Sequence, residues 1–188
     1  MAIDLPIEDI LQSKTRVRIL KILAEEGELN VTEIAKRAHN HSSIRSHLYF
    51  LVKADILQEK RFGRIRIYQL RVEDVRVRAM KNFFDFWKVE GISRIEDVFY
   101  SKGRIRICNL LAEVGELNIS EIAKRARINH SNTEFHLNFL VKANILHEKK
   151  FGCIRIYRFR NEDVTVRAIK NFFDVWKGPT LSVIEGAF

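Results

Sequence analysis

The chain has 188 residues, 46% of them hydrophobic and 30% charged, with eight glycines and two prolines. That balance supplies packed cores, excludes a mainly disordered chain and predicts short loops. The 33 Lys+Arg against 24 Asp+Glu leave a net charge of +9, which suits a polyanionic partner. No apolar run reaches the roughly 18 residues of a membrane span, and Met1-Ala2-Ile3-Asp4-Leu5-Pro6 lacks the basic and long apolar stretches of a secretion signal. The expectation is an intracellular, cytoplasmic protein with no membrane contact. The two cysteines, Cys108 and Cys153, form no CxxC pair and no HExxH is present, so neither a disulfide framework nor a zinc site is predicted. Abundant Lys, Arg, Glu and Ile with three glutamines give the composition a thermophile-like cast.

An internal repeat organises the chain. Gly27-Glu28-Leu29-Asn30 recurs as Gly115-Glu116-Leu117-Asn118, and Phe83-Phe84-Asp85-Phe86-Trp87-Lys88 as Phe172-Phe173-Asp174-Val175-Trp176-Lys177. The offset is 88 up to Ala38 and 89 beyond it, because Arg127-Ile128 stand where His39 stands alone; about two thirds of the aligned positions are identical. Each unit is longer than the repeats of solenoids and long enough for a small domain. Two domains are predicted, 1–91 and 92–188, joined by a connection from Val89 to Ile95 without a flexible Gly/Ser stretch. The tail from Gly178 to Glu185 loosely echoes the segment from Glu90 to Glu96, and packing at an equivalent place is the expectation for both.

In the first unit, Val17, Ile19, Leu20, Ile22 and Leu23 recur at helical spacing, and Gly27 ends that helix. Asn30 or Thr32 can cap a short second helix over Glu33-Ile34-Ala35-Lys36-Arg37-Ala38. A third helix begins near Ser42, with Ile44, Leu48, Leu51 and Val52 on its apolar side, so two short helices and a tight turn make a helix-turn-helix. Ile56 to Arg61 and Ile65 to Leu70 flank Phe62-Gly63-Arg64 as a β-hairpin. Glu73-Asp74 then place negative charge at the start of a helix ending near Trp87, where it favours the N-terminal dipole. The fold class is mainly α with small β-hairpin wings, as two tandem winged helix-turn-helix domains.

Val31-Thr32-Glu33-Ile34-Ala35-Lys36-Arg37, the run from Ser46 to Leu57 and Gly63-Arg64-Ile65-Arg66-Ile67-Tyr68 resemble the small bacterial and archaeal winged-helix transcription regulators typified by arsenic repressors. The resemblance covers nearly all of each repeat and implies DNA binding. It departs from the metal-sensing members, whose Cys-x-Cys segment has no counterpart in either third helix, so metal sensing is not carried over and no cofactor is expected.

A third helix in the major groove presents residues near its N-terminus to base edges. In the first repeat these are Ser42, Ser43, Arg45, Ser46 and Tyr49, with Arg45 able to bond guanine twice; in the second they are Ser131, Asn132, Glu134 and Asn138. The wings add Lys60, Arg61, Arg64 and Arg66, then Lys149, Lys150 and Arg155, as phosphate contacts. The bland readings are ordinary polar helix positions and a charged edge that discourages strand pairing. His47 and His136, like His41 and His130, match across the repeats without further ligands at metal-site spacing, so no metal site is expected. No nucleophile elbow or phosphate loop is present, and Glu73-Asp74 and Glu162-Asp163 read as helix starts, so the protein is not expected to be an enzyme.

Phe83, Phe84, Phe86, Trp87, Phe172, Phe173 and Trp176 crowd the closing helices. They either join the halves as a pseudo-dimer, with a homodimer of the whole chain also open, or fill each unit's own core. Five of the seven positions from Ser43 to Tyr49 change between repeats, including Arg45 to Glu134 and Ser46 to Phe135. Either an asymmetric double-stranded DNA site is read by both halves, the reading favoured by the base-reading capacity of Asn132 and Asn138 and the wing charge of Lys149-Lys150, or the first holds DNA and the second a protein. The functional expectation is a DNA-binding transcription regulator or nucleoid-associated protein, against a tandem winged-helix interaction adaptor.

Overall fold

The computed structural model describes residues 5–87 and 98–176. The expected boundary at 91/92, the connection around it and the tail beyond Trp176 lie outside the described residues. In the first half, α1 (Ile7–Leu11) and α2 (Lys14–Glu26) lead through β1 (Glu28–Asn30) into α3 (Val31–Ala38) and α4 (Ile44–Lys53). The wing, β2 (Leu57–Phe62) and β3 (Ile65–Leu70), and α5 (Val75–Phe86) follow. In the second half Val98 and Phe99 are helical at the positions of Ile10 and Leu11, and the order then repeats: α6 (Lys102–Val114), β4 (Glu116–Asn118), α7 (Ile119–Ala126), α8 (His130–Lys142), β5 (Leu146–Phe151), β6 (Ile154–Phe159) and α9 (Val164–Trp176). Among the described residues no helix is long and apolar enough to cross a membrane.

The helix-turn-helix is set by local chemistry. Asn30 Oδ1 accepts from the Glu33 amide at 3.0 Å while the Glu33 carboxylate accepts from the Asn30 amide, a reciprocal cap that starts α3. Arg18 of α2 donates to the Ala38 carbonyl at 2.9 Å, satisfying an otherwise orphaned group at the end of α3. Ile34, Leu48 and Leu51 are buried against α2, so α4 is fixed by its apolar side and shows its other side to solvent.

The hairpins are wider than the sequence suggests. Glu28–Asn30 adds a third strand in the order β1-β3-β2, and Glu116–Asn118 does the same in the order β4-β6-β5. Three residues are too few for alternation to reveal a strand, and only pairing with Ile67, Tyr68 and Gln69 makes one here. Gly63 takes φ 60° at the first central position of a two-residue turn, a conformation glycine supplies without steric cost. Alternation then puts Leu57, Glu59 and Arg61 opposite Leu70, Tyr68 and Arg66 on one face, and ends the other face at the pair Phe62 and Ile65.

The closing helices join the halves. Phe83 of α5 stacks on Phe172 of α9 with centroids 5.2 Å apart and planes 12° from parallel, and α5 packs along α9. Phe84, Trp87, Phe173 and Trp176 are buried around this pair, and Trp176 Nε1 donates to the Leu5 carbonyl at 3.4 Å. Phe86 lies outside the cluster with 45% of its surface exposed. Phe99, which stands at the repeat position of Leu11, completes the cluster by meeting Phe83, Trp87 and Phe173 edge-on or tilted. Short α1 packs on α6, with Lys102 paired to Asp9 at 2.8 Å and Arg106 to Glu8 at 3.5 Å.

Candidate nucleic-acid interface

The two reading helices begin differently. In the first half Asn40 is shared: its Oδ1 accepts from the Ser43 amide and hydroxyl, and its amide donates to Thr15 of α2 at 3.2 Å. Helix α4 starts only at Ile44, so Ser42 and Ser43 precede the helix expected to begin near Ser42. In the second half Gly103 replaces Thr15 and Asn129 caps α8 directly, accepting from the Asn132 amide at 2.8 Å. Helix α8 therefore starts at His130 and holds Ser131 and Asn132 within its first turn. The space that Gly103 leaves is used: a Cβ there would stand 2.5 Å from Nε2 of His136.

Arg45, Ser46 and Tyr49 are exposed along α4, although the Ser46 hydroxyl already donates to the Ser43 carbonyl. An open groove of 1190 Å³ runs between this helix and the wing, lined among others by Arg45, Tyr49, Lys53, Arg61, Arg64 and Arg66. Lys60 pairs with Glu28 at 2.9 Å, and Arg61 pairs with Glu59, which also accepts from the Tyr68 hydroxyl. Among the described residues, no carboxylate ion pair is formed by Arg45, Arg64 or Arg66, although Arg66 bonds the Tyr68 hydroxyl and feels the charge of Glu59. Arg61 and Arg66 face each other across the strands with Glu59 near both; against burial, which raises it, the bonds from Arg61 and Tyr68 and the charges of Arg61 and Arg66 hold the Glu59 carboxyl below its ordinary value.

The second face has the same frame and a different charge state. Arg155 of β6 reaches Glu134 of α8 at 2.7 Å, bridging reading helix and wing. Lys149 pairs with Glu116 at 3.4 Å and Lys150 with Glu148 at 3.5 Å, while Cys153 stands where the first wing has Arg64. Counting the seven equivalent positions 28, 45, 59, 60, 61, 64 and 66, the first face carries +3 and the second face none. Phe135 and Asn138 are exposed beside Glu134, as Ser46 and Tyr49 are beside Arg45. The sequence places Glu134 opposite Arg45, but its partner Arg155 lies 21 residues away on another element, and no local signal shows the pair.

Behind each reading helix stands a buried arginine. The Arg16 guanidinium lies 4.3 Å over the Phe50 ring, and that of Arg104 lies 4.1 Å over Phe139 and 5.0 Å from Tyr100. Burial, then the charge of Arg16, pushes the His47 pKa down; burial, then Arg104, does the same to His136. The folded protein therefore resists protonating both rings where the unfolded chain accepts protons. Their contribution is whole above the unfolded value of about 6.5 and is lost as pH falls from there toward the lowered folded values. Urea unfolding between pH 7.5 and 5 should show stability falling less steeply in a His47→Gln/His136→Gln variant than in the parent; identical slopes would refute the assignment. Among the described residues no group of three His, Cys, Asp or Glu is placed to hold a metal ion. Cys108 is buried, its thiol pushed up to about 12 by burial, and Cys153 is exposed.

Two short helices joined by a tight turn, with a charged hairpin beside them and arginines lining the groove between, define a winged helix-turn-helix fold. The chain belongs to the arsR family of bacterial regulatory proteins, whose model matches residues 13–59 and again 101–148, together half of its length. Among solved structures it is similar to the AntR antimony-specific transcriptional repressor, at 29% identity over 39% of this chain and 66% of that one, TM-score 0.36. It is also similar to the DIP2311 protein from Corynebacterium diphtheriae, at 17% identity over 78% of this chain and 26% of that one, TM-score 0.28. The chain spans less than two thirds of the length of either. No relative is found among the curated proteins.

Proposed function

We propose that this regulator binds double-stranded DNA chiefly through its first domain, with α4 in the major groove and β2–β3 on the flanking phosphates. The supporting observation is the charge inequality between otherwise matching faces: a net +3 with three arginines outside any ion pair on the first, and a net zero with Lys149, Lys150 and Arg155 all ion-paired on the second. Arg45 is the base reader, because a guanidinium near the start of a reading helix matches the acceptor edge of guanine. Arg61, Arg64 and Arg66 set position on the backbone. The second domain is a built-in dimer partner, since the stacked Phe83 and Phe172 use within one chain the surface a homodimer would use between two. Its own reading face, neutralised at Glu134–Arg155 and bearing exposed Phe135, favours a protein contact over a second DNA contact. A cytoplasmic, nucleoid-bound location accords with this reading.

Fluorescence anisotropy of a labelled duplex titrated at several salt concentrations tests it. Arg61, Arg64 and Arg66 would each neutralise a phosphate and release its counterion, so log K is expected to fall with log salt at a slope of about −3. Arg64→Ala should lower that slope by about one and weaken all sequences alike. Binding that ignores salt, or no binding at micromolar protein, contradicts the proposal.

A further inference from the structure

The tip of the first wing exposes two large apolar side chains. Phe62 is 61% and Ile65 56% exposed, and they stand opposite each other at the last rung of the β2–β3 ladder. A single exposed apolar residue is ordinary, but a cross-strand pair at the outermost point of a hairpin has no core to serve. The other repeat keeps the pair, Phe151 at 62% and Ile154 at 56%, while the cations around it change from Arg61 to Lys150 and from Arg64 to Cys153. The apolar tip is therefore a feature separate from the charge of the wing.

Its surroundings select one occupant. Alternation turns Arg61 and Arg66 toward the groove beside α4 and Phe62 away from it, while Ile65 stands across from Phe62 at the rim of the groove and Arg64 occupies the turn between them. An apolar point ringed by cations fits a polyanion whose interior is apolar, which describes a DNA duplex entered between its phosphate strands. We propose that Phe62 and Ile65 form a wedge that enters the minor groove beside the site of α4, partly unstacks one base step and bends the duplex. Side chains of this size and shape open base steps in architectural DNA-binding proteins. The tip cations meet the phosphates as the groove widens, and the second tip, lacking the counterpart of Arg64, stays out of the DNA. This inference rests on the DNA-binding reading above.

Ring closure by DNA ligase of a duplex near or below the persistence length of about 150 base pairs reports bending without knowledge of the target sequence. Affinity is measured in parallel by anisotropy on the same duplex. The parent protein should accelerate closure at saturation. Phe62→Ala, at an exposed position where the fold is not at stake, should return closure to the protein-free rate and weaken affinity about tenfold, while Phe62→Leu should restore most of the acceleration. Phe151→Ala should close rings as the parent does. If the parent binds but does not accelerate closure, if Phe62→Ala bends as well as the parent, or if the loss follows Phe151 instead, the wedge is wrong and the DNA-binding reading stands. If no duplex is bound, both fall. Sedimentation without DNA covers the remaining occupant: a parent that self-associates and a Phe62→Ala variant that does not would assign the tip to protein pairing and overturn the wedge.

Discussion

Phe83→Ala should destabilise the protein by about 3–5 kcal/mol, the range for removing a fully buried aromatic ring, and should change how the two halves unfold. Phe83 is 1% exposed and touches Phe84, Trp87, Phe99 and Phe172, so its loss opens a cavity bounded by both halves. The parent is expected to unfold in one cooperative step in urea, and the variant in two. Phe172→Ala removes the other ring of the stack. Combining the two should cost less than the sum of the single losses, since a stacked pair couples by about 0.5–1.5 kcal/mol. Phe86→Ala, one turn along the same helix but half exposed, should stay within about 0.5 kcal/mol of the parent. A loss below about 1 kcal/mol for Phe83→Ala would mean that the halves are not held together there.

Arg45→Glu and Glu134→Arg should move DNA affinity in opposite directions. The first substitution copies the second domain into the first, setting a carboxylate on α4 against Arg66 as Glu134 is set against Arg155. It removes a guanine contact worth about 1–3 kcal/mol, withdraws Arg66 into an ion pair and repels phosphate, so a loss of at least about a hundredfold is expected. Glu134→Arg releases Arg155 and raises the second face from neutral to +2, so affinity and salt dependence should both rise. The fold tolerates the change, because a half-exposed ion pair contributes about 0–1 kcal/mol. Anisotropy titrations on one duplex compare the two. Glu134→Arg that weakens binding would show that Glu134 itself accepts from a base.

Much of this architecture is legible in the chain. The repeat shows plainly because duplicated sequence needs no structural model to recognise, and Asn30, Gly27 and Asp74 mark helix ends through chemistry confined to a few residues. The parts that escape depend on distance. Short α1 carries too few residues for periodicity, yet Ile7, Ile10 and Leu11 are all buried, and at the repeat position of Leu11 stands Phe99, the ring that bridges the aromatic cluster. Strand β1 exists only through its pairing with β3. The substitutions mark the two exposed helix faces as different, with Arg45 exchanged for Glu134, but the consequence depends on what each side chain meets. Glu134 meets Arg155 and Arg45 meets no carboxylate among the described residues, and that contrast belongs to the packing of helix against wing.

Amide chemical shifts followed by NMR during titration with a short duplex test most directly whether the two matching faces are unequal for DNA. The first signals to move should be those of α4 and of β2–β3 around Arg61, Arg64 and Arg66, while α8 and β5–β6 keep their positions until DNA is in excess. Equal movement of both faces from the first addition, or movement of α8 and its wing alone, would contradict it.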